Sequence, residues 1–184
     1  MIENLKLTVT AYDRTAAFIL AFDSDFQSDN DMRTVINRDG ACEPEIVHVM
    51  ARVLREGDIA IDGGANVGYF TLIMSQFVGK TGLVFAVEPT PMNIKKMEHN
   101  LASNGTKNVR VVKSPLYSNI QELTLHMCHD TGSNSLTRSA DSVGNMKVVS
   151  TTIDDIVPTD INVRLIKLDI EGAENKALLG ASSS

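Results

Sequence analysis

The run Ile59-Ala60-Ile61 leads without a break into Asp62-Gly63-Gly64-Ala65-Asn66-Val67-Gly68, and this junction constrains the fold more than any other part of the chain. The three apolar residues read as a short buried strand. An acid ends it, glycines turn the backbone, and apolar residues then recur at helical spacing from Val67 through Phe77. A strand that enters a helix through a glycine turn is the first half of a βαβ unit.

The unit repeats. Leu83-Val84-Phe85-Ala86-Val87 is a continuous apolar strand that ends at Glu88. Thr90 and Pro91 suit an N-cap and first turn, and Ile94, Met97 and Leu101 share the inner face of the helix that follows. Asn104-Gly105 stops it, and Val109 to Val112 is a third strand. Val163 to Asp169 is another core strand, followed by a helix from about Gly172 to Leu179. Strands apolar on both faces require cover on both sides, and right-handed crossovers then give an α/β fold, a Rossmann-like doubly wound, mostly parallel sheet. A chain of 184 residues with 43% hydrophobic and 22% charged residues can bury such a core.

The flanking segments are less regular. Residues 1–40 read as an N-terminal lead, with a strand at Phe18 to Phe22 and a polar loop from Asp23 to Asp31; residues 41–184 form the core. Pro44 opens a helix that Gly57 ends. Glu122 to Met127 and Met146 to Ser150 alternate as an antiparallel pair around a polar loop, Asp130 to Gly144.

In a doubly wound sheet the ligand lies beyond the carboxyl ends of the strands, where Asp62 and Glu88 fall. Gly64 lets backbone approach a ligand, and Gly68 lets the next helix pack closely. Glu88 can accept hydrogen bonds from ribose hydroxyls, as nicotinamide enzymes also require. The glycines separate the cofactors. A G-x-G-x-x-G register from Gly63 puts Ala65 at the middle glycine; from Gly64 it puts Asn66 there and Tyr69 last. Neither fits a pyrophosphate. S-adenosyl-L-methionine has none, and its zwitterionic end suits Asp62 beside a helix N-terminus. Gly63, Asn66 and Pro89 complete the cofactor-binding candidates with Asp62, Gly64, Gly68 and Glu88. A nicotinamide-dependent oxidoreductase and a non-catalytic cofactor-binding fragment stay open as alternatives.

Three segments, IDGGANVGYFTL from Ile61, VFAVEPTPMNIKKMEHNLASNG from Val84 and TIDDIVPTDINVRLIKLDIEGAENKALLGA from Thr152, together with Arg38-Asp39-Gly40-Ala41-Cys42-Glu43-Pro44-Glu45, resemble the FkbM family of class I methyltransferases. The resemblance implies methyl transfer from S-adenosylmethionine, mostly to oxygen of small molecules or sugars. Gly63 stands where the family more often has valine. Class I domains usually continue for three more strands, whereas only Gly180 to Ser184 follow the last helix, so the chain reads as truncated at its C-terminus. The chain is then expected either to self-associate through the edge of Val163–Asp169 or to show poor stability and little turnover, unless Glu122 to Ser150 folds back over that edge.

Methyl transfer to a hydroxyl needs a positioned acceptor and a route for its proton. Asp169, Glu171 and Lys167, at the end of the last core strand, are the catalytic candidates. Each has a plainer reading: acids such as Glu171 and Glu174 stabilise a helix start, and Lys167 forms an ion pair with Asp169 on the same strand face. Ser114 falls where adenine is bordered in this fold, beside Pro115 and Leu116. His126, Cys128 and His129 do not share one strand face, so no metal is expected.

A net charge of −6 argues against nucleic acid, and the pair Lys95-Lys96 reads as a solvated helix face. Two distant cysteines, no basic-then-apolar N-terminus and no span of bilayer length point to a cytoplasmic setting without a membrane. The expected partner is a small-molecule or sugar acceptor.

Overall fold

The computed structural model describes residues 2–129, 134–137, 140 and 142–181. The chain opens with β1 (Ile2–Ala11) and β2 (Arg14–Asp23), then α1 (Gln27–Asp39) and α2 (Pro44–Val53). The core continues with β3 (Ile59–Gly63), α3 (Tyr69–Phe77), β4 (Leu83–Val87), α4 (Pro91–Ser103) and β5 (Val109–Val112). A hairpin of β6 (Glu122–Cys128) and β7 (Ser142–Val149) precedes α5 (Ile153–Ile156), β8 (Val163–Leu168) and α6 (Glu174–Leu179).

The central sheet has the order β5-β4-β3-β8, with every neighbouring pair parallel. Successive residues of its inner strands point to opposite faces. Ala60, Val84 and Ala86 join one buried cluster with α2, α3, α4 and the N-terminal hairpin, while Ile61, Phe85 and Val87 join a second with Ile153, Val157 and Ala177. Each large side chain so buried contributes about 1.5–3 kcal/mol. Two-sided burial explains why these strands are uninterrupted apolar runs. The Rossmann-like, doubly wound reading of the core therefore holds.

The N-terminal segment differs from its sequence reading. It forms two ten-residue strands in register from Ile2↔Asp23 to Ala11↔Arg14, not one short strand. Leu7, Val9 and Ala11 face the core, and the alternating Lys6, Thr8 and Thr10 are exposed, a period-two pattern. A helix begins at Gln27 within the stretch read as loop. Its polar sequence is held by tertiary contacts: buried Asp29 accepts from the Asp23 N–H at 2.7 Å and lies 3.0 Å from Lys96 Nζ.

Carboxamides replace a neighbouring strand along the outer edge of β2. Gln76 exchanges two hydrogen bonds with the backbone of Ala17, Asn104 exchanges two with Ile19, and Asn100 accepts from the Ala21 N–H. The amide of Asn100 also donates to the Val67 carbonyl at 2.8 Å, which ties the hairpin to the glycine turn. Arg14 donates to the Ala51, Leu54 and Phe77 carbonyls and so closes the ends of α2 and α3 together.

Among the described strands, β8 pairs with β3 alone and lies at the sheet edge. The β6–β7 hairpin forms a separate two-stranded sheet and does not pair with β8. Among the described residues no helix is long and apolar enough to cross a membrane.

Candidate active site

The turn after β3 is fastened on both sides. The N–H groups of Gly64 and Ala65 both donate to the Val87 carbonyl of β4 at 3.0 Å, and the Asp169 N–H donates to the Gly63 carbonyl at 3.0 Å. Gly64 has φ +76°, and a Cβ there would lie 1.9 Å from the Asp169 carbonyl oxygen. Its missing side chain thus admits the neighbouring strand end as well as bordering the cleft. Gly68, at φ +87°, makes room for Met97 of α4, whose Cγ would be 2.9 Å from an added Cβ. Gly63 packs beneath Leu168.

A cleft enclosing about 640 Å³, part of it open solvent, lies beyond the carboxyl ends of β3, β4 and β8. Gly64, Asn66, Glu88, Pro89, Thr90 and Asn93 line it. Pro115, Leu116 and Leu125 add an apolar wall, and Asp169, Ile170 and Glu171 complete the lining, with Asp169 and Ile170 packed against Gly64. Of the residues expected from sequence, the fold brings Gly64, Asn66, Glu88, Pro89, Asp169 and Glu171 together here. Asp62, Gly63, Gly68, Ser114 and Lys167 are not in the lining, although the two neighbours of Ser114, Pro115 and Leu116, are.

Glu88 is 5% exposed and heavily engaged. One oxygen accepts from the Asn66 N–H at 3.0 Å; the other accepts from the Thr90 N–H at 2.9 Å and the Asn93 amide at 3.3 Å. Burial raises its pKa above the ordinary glutamate value, against the lowering effect of these hydrogen bonds. The Thr90 side chain is a further hydrogen-bond partner of this carboxyl group.

Asp62 is fully buried below the turn. Its Oδ2 accepts from the Thr71 hydroxyl at 2.6 Å, and its Oδ1 lies 3.5 Å from Lys167 Nζ. Lys167 is also 3.5 Å from Asp169 Oδ2 and sits 4.9 Å from the centre of the Phe70 ring. The lysine therefore has carboxylates on two sides, the ion-paired role that its place in an apolar strand suggested. Asp62, held by Thr71 and Lys167, braces the turn from beneath.

Glu171 has φ +53°, the left-handed region, which is unusual for a residue with a side chain. Partial burial raises its pKa, and the charges of Asp169 and Glu174 raise it further. Glu174 does not line the cleft; its Oε1 accepts from the Ile170 and Gly172 N–H groups, each at 3.1 Å. Burial would raise its pKa, but backbone N–H groups of Glu174, Gly172 and Ile170 outweigh this and lower it. The plainer, helix-start reading describes Glu174.

Sequence reasoning passed over Thr90, Asn93, Leu125, Asn134 and Ser135. Asn134 donates to the Thr90 hydroxyl at 3.2 Å, and Ser135 donates from Oγ to the Glu171 carbonyl at 2.8 Å. Both lie in the stretch read only as a polar loop. The usable signal was the small polar run Asn134-Ser135 following a strand. The loop before α2 supplies a further neighbour: the Cys42 N–H donates to the Tyr69 hydroxyl at 3.0 Å. Burial, then the charge of Glu43, pushes the Cys42 thiol up to about 11, so it stays protonated near neutrality. Among the described residues no group of three His, Cys, Asp or Glu side chains could hold a metal ion.

The lining suits a nucleoside with a zwitterionic tail. The apolar wall offers a face for a base, and Glu88 lines the same cleft. Asn66 Oδ1 is buried with no hydrogen-bond partner, an acceptor left for a bound donor.

The protein-L-isoaspartate O-methyltransferase 1 of Archaeoglobus fulgidus is 35% identical over 71 residues, covering 38% of this chain and 33% of that relative. The protein-L-isoaspartate O-methyltransferase of Methanosarcina mazei is 37% identical over 71 residues, covering 38% of this chain and 29% of that relative. This chain thus spans about a third of the length of these curated relatives. A crystal structure of the methyltransferase FkbM from Methylobacillus flagellatus KT matches with a TM-score of 0.48 and 22% identity, over 87% of this chain and 41% of that one. The methyltransferase FkbM domain family matches residues 62–184, from Asp62 in β3 onward. With more than half of its length matched, the chain belongs to the FkbM family of methyltransferase domains.

Proposed function

We propose that the chain is an S-adenosylmethionine-dependent methyltransferase that transfers a methyl group to a hydroxyl oxygen of a small molecule or sugar. One observation carries this reading: Glu88, Asp169 and Glu171 all line a single cleft with the glycine turn. When bound, the cofactor supplies a methyl group on a positively charged sulfur. Glu88 and Asn66 would hold it, and the apolar wall of Pro115, Leu116 and Leu125 would face its base. Glu171 would take the proton that the acceptor hydroxyl loses as its oxygen gains the methyl group. A carboxylate whose pKa is raised toward the working pH suits that role. Asp169, beside Lys167, would orient the acceptor.

Calorimetric titration with S-adenosylmethionine, S-adenosylhomocysteine and NAD tests the cofactor. The expected result is binding of the first two and not the third; the reverse would sink the reading. Transfer of labelled methyl groups to a panel of sugars, polyketides and carboxylates tests the acceptor, with label expected on hydroxyl oxygen. Asp169→Asn and Glu171→Gln should slow that transfer with little change in cofactor affinity.

A further inference from the structure

Glu171 holds a backbone conformation that its side chain disfavours, φ +53°, and the structure shows what keeps it there. On one side, the Glu174 carboxylate accepts from the N–H groups that flank Glu171 in sequence, those of Ile170 and Gly172. On the other, the Ser135 hydroxyl donates to the Glu171 carbonyl at 2.8 Å.

Ser135 is itself immobilised. It is 8% exposed, its N–H donates to the His126 carbonyl at 3.1 Å, and its carbonyl accepts from the His126 N–H at 2.8 Å. Its Oγ also accepts from the Thr137 N–H at 3.0 Å. Every polar group of this serine is engaged, and only one of those contacts crosses to the β8–α6 junction. A serine placed so is a fixed strut from the β6 backbone to Glu171.

We propose that Ser135 and Glu174 are positioning residues that clamp the Glu171 backbone in its left-handed conformation and so keep its carboxylate at the mouth of the cleft beside Asp169. The assignment of Glu171 as proton acceptor rests on the methyltransferase reading; the clamp itself rests on the contacts above. The two contacts come from different parts of the chain, so Ser135 and the start of α6 both bear on one residue. Neither Ser135 nor Glu174 touches the reacting atoms.

Nuclear magnetic resonance on the full chain, labelled with carbon-13 at glutamate and with Glu171→Gln to assign the signal, tests the clamp without an acceptor. In the parent, the Glu171 Cα and Cβ shifts should report a left-handed residue, and its carboxyl should titrate above the ordinary glutamate range. Ser135→Ala and Glu174→Asp should both lose the left-handed signature and return the titration toward the ordinary range, whereas Ser135→Thr should keep both. Glu174→Asp preserves the negative charge, and the Cα and Cβ shifts read the backbone conformation directly. If Ser135→Ala does not fold, Glu174→Asp carries the test alone. Unchanged shifts and titration of Glu171 in folded variants would overturn the clamp. Calorimetry with S-adenosylhomocysteine on Glu174→Asp should stay within about twofold, because Glu174 does not line the cleft. A parent that fails to bind S-adenosylhomocysteine would instead sink the methyltransferase reading and leave the clamp standing.

Discussion

A side chain at position 64 and the carbonyl of Asp169 would occupy the same space: an added Cβ would lie 1.9 Å from that oxygen. The glycine turn and the end of β8 are therefore one structural unit. Gly64→Ala adds an unfavourable left-handed backbone, about 1–2 kcal/mol, to overpacking of about 1–3 kcal/mol. Urea unfolding should show a loss of about 3 kcal/mol or more, with weakened cofactor binding. An unchanged midpoint would show that the turn and the strand end move independently.

Lys167 faces two carboxylates, one of them fully buried. Lys167→Met leaves Asp62 charged and without its cation, which should cost about 3–5 kcal/mol. Asp62→Asn added to Lys167→Met should recover a large part of that loss. A double-mutant cycle by chemical denaturation checks this; strictly additive losses would rule out the coupling.

Glu88→Ala should weaken S-adenosylmethionine binding by about 1.5–3 kcal/mol, the range for a hydrogen bond to a charged group. The same change leaves the Asn66 and Thr90 N–H groups without their acceptor, so the melting temperature should fall as well. Calorimetry and thermal melting read the two effects separately. Equal affinity in a folded variant would remove Glu88 from the cofactor site.

The pH dependence of stability should carry opposite signs at two glutamates. Burial raises the Glu88 pKa, so as pH rises the unfolded chain releases this proton first. Its contribution is complete below about 4.3, the ordinary glutamate value, and is lost as pH climbs through the raised folded value. Glu174 is lowered on balance, so its contribution is present above the ordinary value and is lost as pH falls through the lowered one. Denaturation midpoints against pH should therefore fall less steeply above 4.3 in Glu88→Gln, and fall less on acidification below it in Glu174→Gln. Parallel profiles for parent and variants would contradict both assignments.

The core was legible because its signals are local. Ile59 to Gly68 and Leu83 to Glu88 place two acids at strand ends through period and glycine alone, and the fold follows from repeating that unit. Asp62 and Glu88 diverge, however, for a reason no local pattern carries. Lys167 and Thr71, distant in sequence from each other, meet at Asp62 and draw it below the turn, while Glu88 stays at the cleft. The clamp on Glu171 was hidden for the same reason: Ser135 reaches it from 36 residues away. The α1 helix was missed because its polar sequence buries only Asp29 and Ile36, so no apolar stripe announces it.

Gln76, Asn100 and Asn104 have a consequence for how copies of this chain can meet. Their carboxamides engage the N–H groups of Ala17, Ile19 and Ala21 and the carbonyls of Ala17 and Ile19, so of the hairpin's two edges the one along β1 is left to template another strand. A sheet that can grow from both sides polymerises; one that can grow from one side terminates after a single addition. Association through the hairpin alone thus stops at two chains, and a fibre cannot propagate through it unless α3 and α4 first let go of β2.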